Sequence, residues 1–181
     1  MGEQDQDAST ARARLRLLAA EFTTPARNQS GPRRPTPAAQ ALAPIDLGVL
    51  DQVTKAQREI TDHTRAAVPD ASPPPAVTAD IYGWAYKTTS HLDVAHRMAR
   101  DAMIYRQSLE HALLMGDSMA VRKEPCPDCS CWSLFWQPVT GKVTCVNRRC
   151  TERLGHPATW TLRELAQRHV AAKYAARRSA T

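Results

Sequence analysis

A chain of 181 residues with 13 prolines and only 6% aromatic side chains has material for a modest core, which excludes a large continuous one. Its 24 Lys/Arg and 18 Asp/Glu are unevenly spread: from Val121 onward 11 cations face 4 acids, whereas the first 120 residues hold 13 against 14. The basic character therefore belongs to the C-terminal third, where a polyanion is the natural partner.

Residues 1–10 are acidic and polar, and no apolar run of signal-peptide or membrane-span length follows them. A soluble, cytoplasmic protein with no membrane partner is expected. Residues 9–22 carry a short helical pattern, with Ser9 or Thr10 as cap and Leu15, Leu17 and Leu18 as its apolar face. Pro25, Pro32, Pro35, Pro37 and Pro44 then fall among Arg, Asn, Ser and Gly, a composition too poor in apolar surface to offset the entropy of ordering. Residues 1–44 are accordingly expected to be largely disordered.

Over 46–67, Leu47, Leu50, Val53, Ile60 and Thr64 follow one face of a helix that Asp46 is placed to cap. Pro69 and the run Pro73, Pro74, Pro75 end it and impose an extended break. From 78 to 115, Trp84, Thr88, Leu92, Ala95, Ala99, Ala102, Leu109 and Leu113 recur at steps of three and four, and Gly116 supplies the stop. This stretch reads as one long helix or as two in series divided at Thr88-Thr89-Ser90, with Ser90 and Asp93 forming a new cap. Neither helix is stable alone, so the earlier one is expected to pack antiparallel on the later, as a helical hairpin or small bundle or one completed by a second copy of the chain.

All five cysteines lie between 126 and 150. In a reducing compartment disulfides do not persist, and an odd number leaves a thiol over, so metal binding is the reading that remains. Cys126-Pro-Asp-Cys129, fifteen residues, then Cys145-Val-Asn-Arg-Arg-Cys150 places two thiolate pairs at the ends of a hairpin-sized segment. Within it, 132–137 reads as a strand, 138–141 as a turn and 142–145 as the returning strand. One Zn2+ suits four soft ligands at tetrahedral corners, and four thiolates leave no open position for water or substrate, so the ion is expected to be structural. Cys131 is read as a spare thiol facing away from the metal, and His156 as the other side chain able to substitute for a ligand.

This arrangement resembles the zinc ribbon family over residues 124–160, with Cys126-Pro-x-Cys129 its most specific shared feature. It departs from the family pattern in the second knuckle, which has four residues between its cysteines where two are usual. The helical segment, the ribbon and the Ala/Arg/Pro-rich composition together are similar in style to small accessory proteins of high-GC bacteria and their phages.

Beyond the ribbon, Thr161-Leu162-Arg163-Glu164 is a capping box opening a helix whose apolar face is Leu165, Ala166, His169, Val170 and Tyr174. Residues 160–166 resemble the opening helix of helix-turn-helix regulators, with no recognition helix after it. Arg163, Arg168, Lys173, Arg177 and Arg178 on this helix, with Arg148, Arg149 and Arg153 of the second knuckle, are candidate nucleic-acid contacts, since cations can neutralise phosphates without sequence choice.

Trp132, Phe135 and Trp136 have the chemistry of a base-stacking platform, but in so small a module two of the three are expected to be buried as its core. His91, Asp93 and His96 lack metal-site spacing and a third ligand. The sequence shows no phosphate loop, paired-carboxylate site or nucleophile with a placed base, and predicts a binding module rather than an enzyme.

The expected architecture is mainly α: a helical domain over 45–118, a small β zinc ribbon over 121–160, and a basic C-terminal helix over 161–181. The first functional expectation is a DNA-binding (or RNA-binding) or transcription-associated accessory protein. The second is a protein-protein interaction adaptor docking on RNA polymerase or another host or phage protein.

Overall fold

The structure, a computed structural model, describes residues 47–180. The expected helix over 9–22, the proline-rich stretch and the Asp46 cap lie outside the described residues.

Helix α1, Leu47–Ala67, turns Val49, Ile60 and Thr64 inward. Thr64 is fully buried because its hydroxyl donates to the Ile60 carbonyl one turn back, 2.8 Å away. The proline run lies in no helix or strand, and the Trp84 indole N–H donates to the Ser72 carbonyl at 3.1 Å, tying this connection to the next helix. A 3-10 turn, Thr78–Asp80, leads into α2, Ile81–Thr89, and α3 follows over Val94–Leu114. The stretch is thus two helices, divided where the Thr-Thr-Ser run predicts. The new cap is Asp93 rather than Ser90: the Asp93 carboxylate accepts from the His96 N–H at 2.9 Å, while the Ser90 hydroxyl donates back to the Lys87 carbonyl. Gly116, at φ +83°, closes α3, and one unforeseen turn of helix, α4, spans Met119–Arg122.

Helices α1 and α3 pack antiparallel, as expected: Gln52 bonds Glu110 at 2.9 Å, and one turn further on Gln107 Nε2 donates to the Ala56 carbonyl at 3.2 Å. Helix α2 lies against the same partner through Tyr82 to Gln107 at 2.6 Å and Arg100 to Thr89 at 2.8 Å. Ile60, Ile81, Ala85 and Ile104 form the small apolar centre of these three helices.

The β module is a three-stranded antiparallel sheet in the order β1-β2-β3, with β1 Leu134–Gln137, β2 Lys142–Cys145 and β3 Thr159–Trp160. Strand β1 begins two residues later than the sequence suggests because the Ser133 N–H turns back to the Cys131 carbonyl at 2.9 Å. Helix α5, Arg148–Leu154, follows β2, and α6, Leu162–Ser179, starts at the predicted capping box, with Thr161 accepting from the Glu164 N–H and Glu164 reaching back to the Thr161 N–H.

Helix α6 returns antiparallel along α3. Tyr174 donates to Asp101 at 2.8 Å, the Tyr105 and His169 rings stack 4.1 Å apart, and Leu109 shares one core with Leu165. That second core continues through Leu134, Val143 and Trp160 into the sulfurs of Cys126, Cys145 and Cys150.

The burial expected of the ribbon aromatics does not hold. Trp132 is 69% exposed, Phe135 37%, and Trp136 only half-buried. Helices α3 and α6 deliver Leu109, Leu162 and Leu165 to the same core as Leu134, Val143 and Trp160, so that core does not depend on Trp132 or Phe135, and Trp136 packs at its edge.

Candidate metal centre

The chain from Cys126 to Cys129 forms a tight knuckle in which the Ser130 N–H donates to the Cys126 carbonyl at 2.8 Å and Ser130 adopts φ +56°. The N–H groups of Asp128 and Cys129 point at the Cys126 sulfur. Cys145 is the last residue of β2, paired across the sheet with Leu134. The departure in the second knuckle has a structural reason: Asn147 caps α5 by accepting from the Arg149 N–H at 3.1 Å, and Cys150 is carried inward on that helix's first turn. Four intervening residues are what a strand end, a cap and the opening of a helix require.

The ligand atoms of Cys126, Cys129, Cys145 and Cys150 all lie within 4.8 Å of one another. A tetrahedral ion with metal–sulfur bonds of about 2.3 Å sets its sulfurs about 3.8 Å apart. The Cys129 and Cys145 sulfurs are 3.8 Å apart, so the residues present fit a bound metal. Three of the four are buried, as a closed structural site requires. Cys131 is exposed and lies outside this set, as does His156, whose ring faces the Pro157 carbonyl at 3.2 Å. Among the described residues no second cluster of three candidate ligands occurs; His96 pairs with Asp93 alone at 2.9 Å, in the open.

Sequence reasoning missed the polar groups around the sulfurs. Asn147 Nδ2 lies 3.5 Å from Cys129 Sγ and 3.2 Å from Cys131 Sγ, and the Ser133 hydroxyl is 3.1 Å from Cys145 Sγ. Burial pushes the Cys126 thiol well up, and burial followed by the neighbouring Cys129 and Cys145 sulfurs raises that of Cys150. At Cys129 burial also pushes upward, but the Cys131 N–H and the surrounding side-chain donors outweigh it and bring the thiol down to about 6. An Asn directly before a helical turn was the one sequence signal for this shell.

The candidate cations divide by position. Arg148 and Arg149 are exposed on the first turn of α5, immediately before the ligand Cys150. Arg153 is exposed on the same helix and donates to the Asp128 carbonyl at 2.7 Å, bridging the two knuckles. On α6, Arg163, Arg168 and Arg178 point to solvent, while Lys173 and Arg177 are half-buried, with the Arg177 guanidinium 5.8 Å from the Tyr174 ring centre. Arg163 also lines a groove of about 600 Å³ with Arg106, Glu110, Leu113 and Trp136. The structure brings Arg148 and Arg149 together beside the sulfur cluster and spreads the α6 cations around their helix.

Compared with family models, with curated proteins and with solved structures, the chain matches none. No described helix is long and apolar enough to cross a membrane.

Proposed function

We propose that the protein is a zinc-ribbon nucleic-acid-binding accessory protein that acts by binding and not by catalysis. Zn2+ is the ion whose coordination the four sulfurs suit, and its role would be to hold β2, α5 and the first knuckle in fixed relation. The observation that carries the reading is the position of Arg148 and Arg149: two exposed guanidiniums on the helical turn that the metal ligand Cys150 anchors, in a segment whose cations exceed its acids 11 to 4. Guanidinium forks held on a rigid turn suit phosphate oxygens.

The test is retention of labelled nucleic acid over a salt series. Affinity is expected to fall log-linearly as salt rises, and Arg148→Ala with Arg149→Ala to flatten the slope by about 2 while zinc content is unchanged. Binding indifferent to salt and to both substitutions would reject the reading.

A second reading, a protein-interaction adaptor, draws on the groove lined by residues of α1, α3 and the β1-β2 turn, with the exposed Leu114 in its wall. It expects partner capture from lysate that survives nuclease treatment and the loss of both arginines.

A further inference from the structure

We propose, building on the nucleic-acid reading, that the ribbon recognises single-stranded rather than duplex nucleic acid, with one base stacked on the Trp132 indole and the flanking phosphates held by Arg148 and Arg149. Trp132 is 69% exposed, and among the described residues its indole has no hydrogen bond or ring contact. Its backbone is fixed on both sides. The Cys131 carbonyl accepts from the N–H groups of Cys126 and Ser133 at 2.8 and 2.9 Å, and the Ser133 carbonyl accepts from the Val146 N–H at 2.9 Å. An indole displayed from a chain already ordered by the knuckle loses little further freedom when a planar group settles on it.

The same links set the neighbours. The Val146 N–H bond and the Asn147 amide on Cys131 Sγ, at 3.2 Å, bring residues 131–133 against residues 146–147. Arg148 and Arg149 follow directly in the chain, so the segment that carries the exposed indole lies against the segment that leads, through the 55% exposed Val146, into two exposed arginines. Glu152 pairs with Arg148 at 3.8 Å, and both partners of that pair are largely solvated. An exposed aromatic ring on a segment packed against one that leads into two exposed arginines suits a strand whose bases are free to stack and whose phosphates are spaced along it. A duplex offers the phosphates but keeps its base faces covered, leaving the indole without a role. The other solvent-facing ring, Phe135, is already covered by the Arg122 guanidinium at 3.6 Å, which singles out Trp132.

The experiment uses the full-length, metal-loaded protein, a mixed-sequence DNA strand of about 15 nucleotides and the duplex formed with its complement. The strand is expected to bind about tenfold or more tightly than the duplex, and to quench tryptophan fluorescence. Trp132→Ala is expected to remove most of that preference, abolish the quench and leave duplex affinity within about twofold; Trp132→Phe is expected to restore part of the preference. Unchanged metal content and far-UV circular dichroism show that both variants remain folded. Equal affinity for strand and duplex, with Trp132→Ala without effect, overturns this inference and leaves the nucleic-acid reading standing. Binding of neither probe at low salt removes that reading, and this inference with it.

Discussion

The two halves of the molecule solve the same shortage of core by different means. Helices α1 to α3 enclose a small apolar centre of four residues and surround it with partly buried polar contacts: Arg106 between Glu59 and Glu110, Gln107 between Tyr82 and Glu59, and Arg100 on Asp101, Thr89 and the Tyr86 ring. The ribbon half places four cysteine sulfurs beside a compact set of aliphatic side chains. Hydrogen-bonded charges give orientation and modest net stability because desolvation offsets their attraction. A metal–thiolate cluster instead contributes on the order of 10 kcal/mol to folding. The helical half should therefore weaken by degrees, and the half that carries the cysteines should stand or fall with any metal that they hold.

Stripping the proposed metal with a strong chelator, or Cys145→Ser, is expected to have the largest effect, a loss on the order of 10 kcal/mol felt first in the sheet and α5. Elemental analysis paired with near-UV circular dichroism checks it; a metal-free protein with the Trp160 environment intact would break the contrast. Arg106→Met ranks next, at about 3 kcal/mol, because Glu59 and Glu110 would keep their charges with only the Gln107 and Gln52 amides and no cation against them. Chemical denaturation measures it, and an unshifted midpoint would mean that the network is ornamental to stability.

Thr161→Ala, which removes one side of the capping box of α6, is expected to cost about 1 kcal/mol, readable as a small drop in melting temperature with metal content unchanged. The mildest expectation concerns pH. Burial alone would raise the Glu59 carboxyl, yet hydrogen bonds from Gln107 and Arg106 and the Arg106 charge hold it below its usual 4.5. Its contribution is thus complete above the unfolded value and disappears as pH falls through the lower, folded one. Denaturation midpoints of the helical half followed into acid should show this decline, and Arg106→Met should blunt it.

Much of this arrangement was legible in the sequence because it depends on local rules. The helix spacing over 47–67, the stop at Gly116, strand β2, the turn at 138–141 and the Thr161/Glu164 box are set by residues within a turn or two of one another. The metal set was legible for the same reason, as knuckle spacing is a short-range pattern. What escaped depends on distant partners. The exposure of Trp132 and Phe135 follows from leucines delivered by α3 and α6, some 30 residues away on either side. Helix α5 was hidden because four residues between cysteines reads as a stretched knuckle until Asn147 is seen as a cap. The split of the α6 cations into outward and half-buried groups likewise depends on which side of that helix meets α3.

The antiparallel seating of α6 on α3 has a consequence for how the four cysteines would capture a metal. The polypeptide leaves one helix of this pair and comes back as the other, so the intervening excursion is a closed loop whose ends are tied together by Tyr174 on Asp101 and by the Tyr105–His169 stack. Much of the chain entropy that an isolated ribbon would surrender on gathering its two knuckles is already gone once the helices dock. The intact protein should accordingly hold its ion more tightly than an excised peptide of the same ligands, and loosening the helix pair at a distance should make the ion easier to lose.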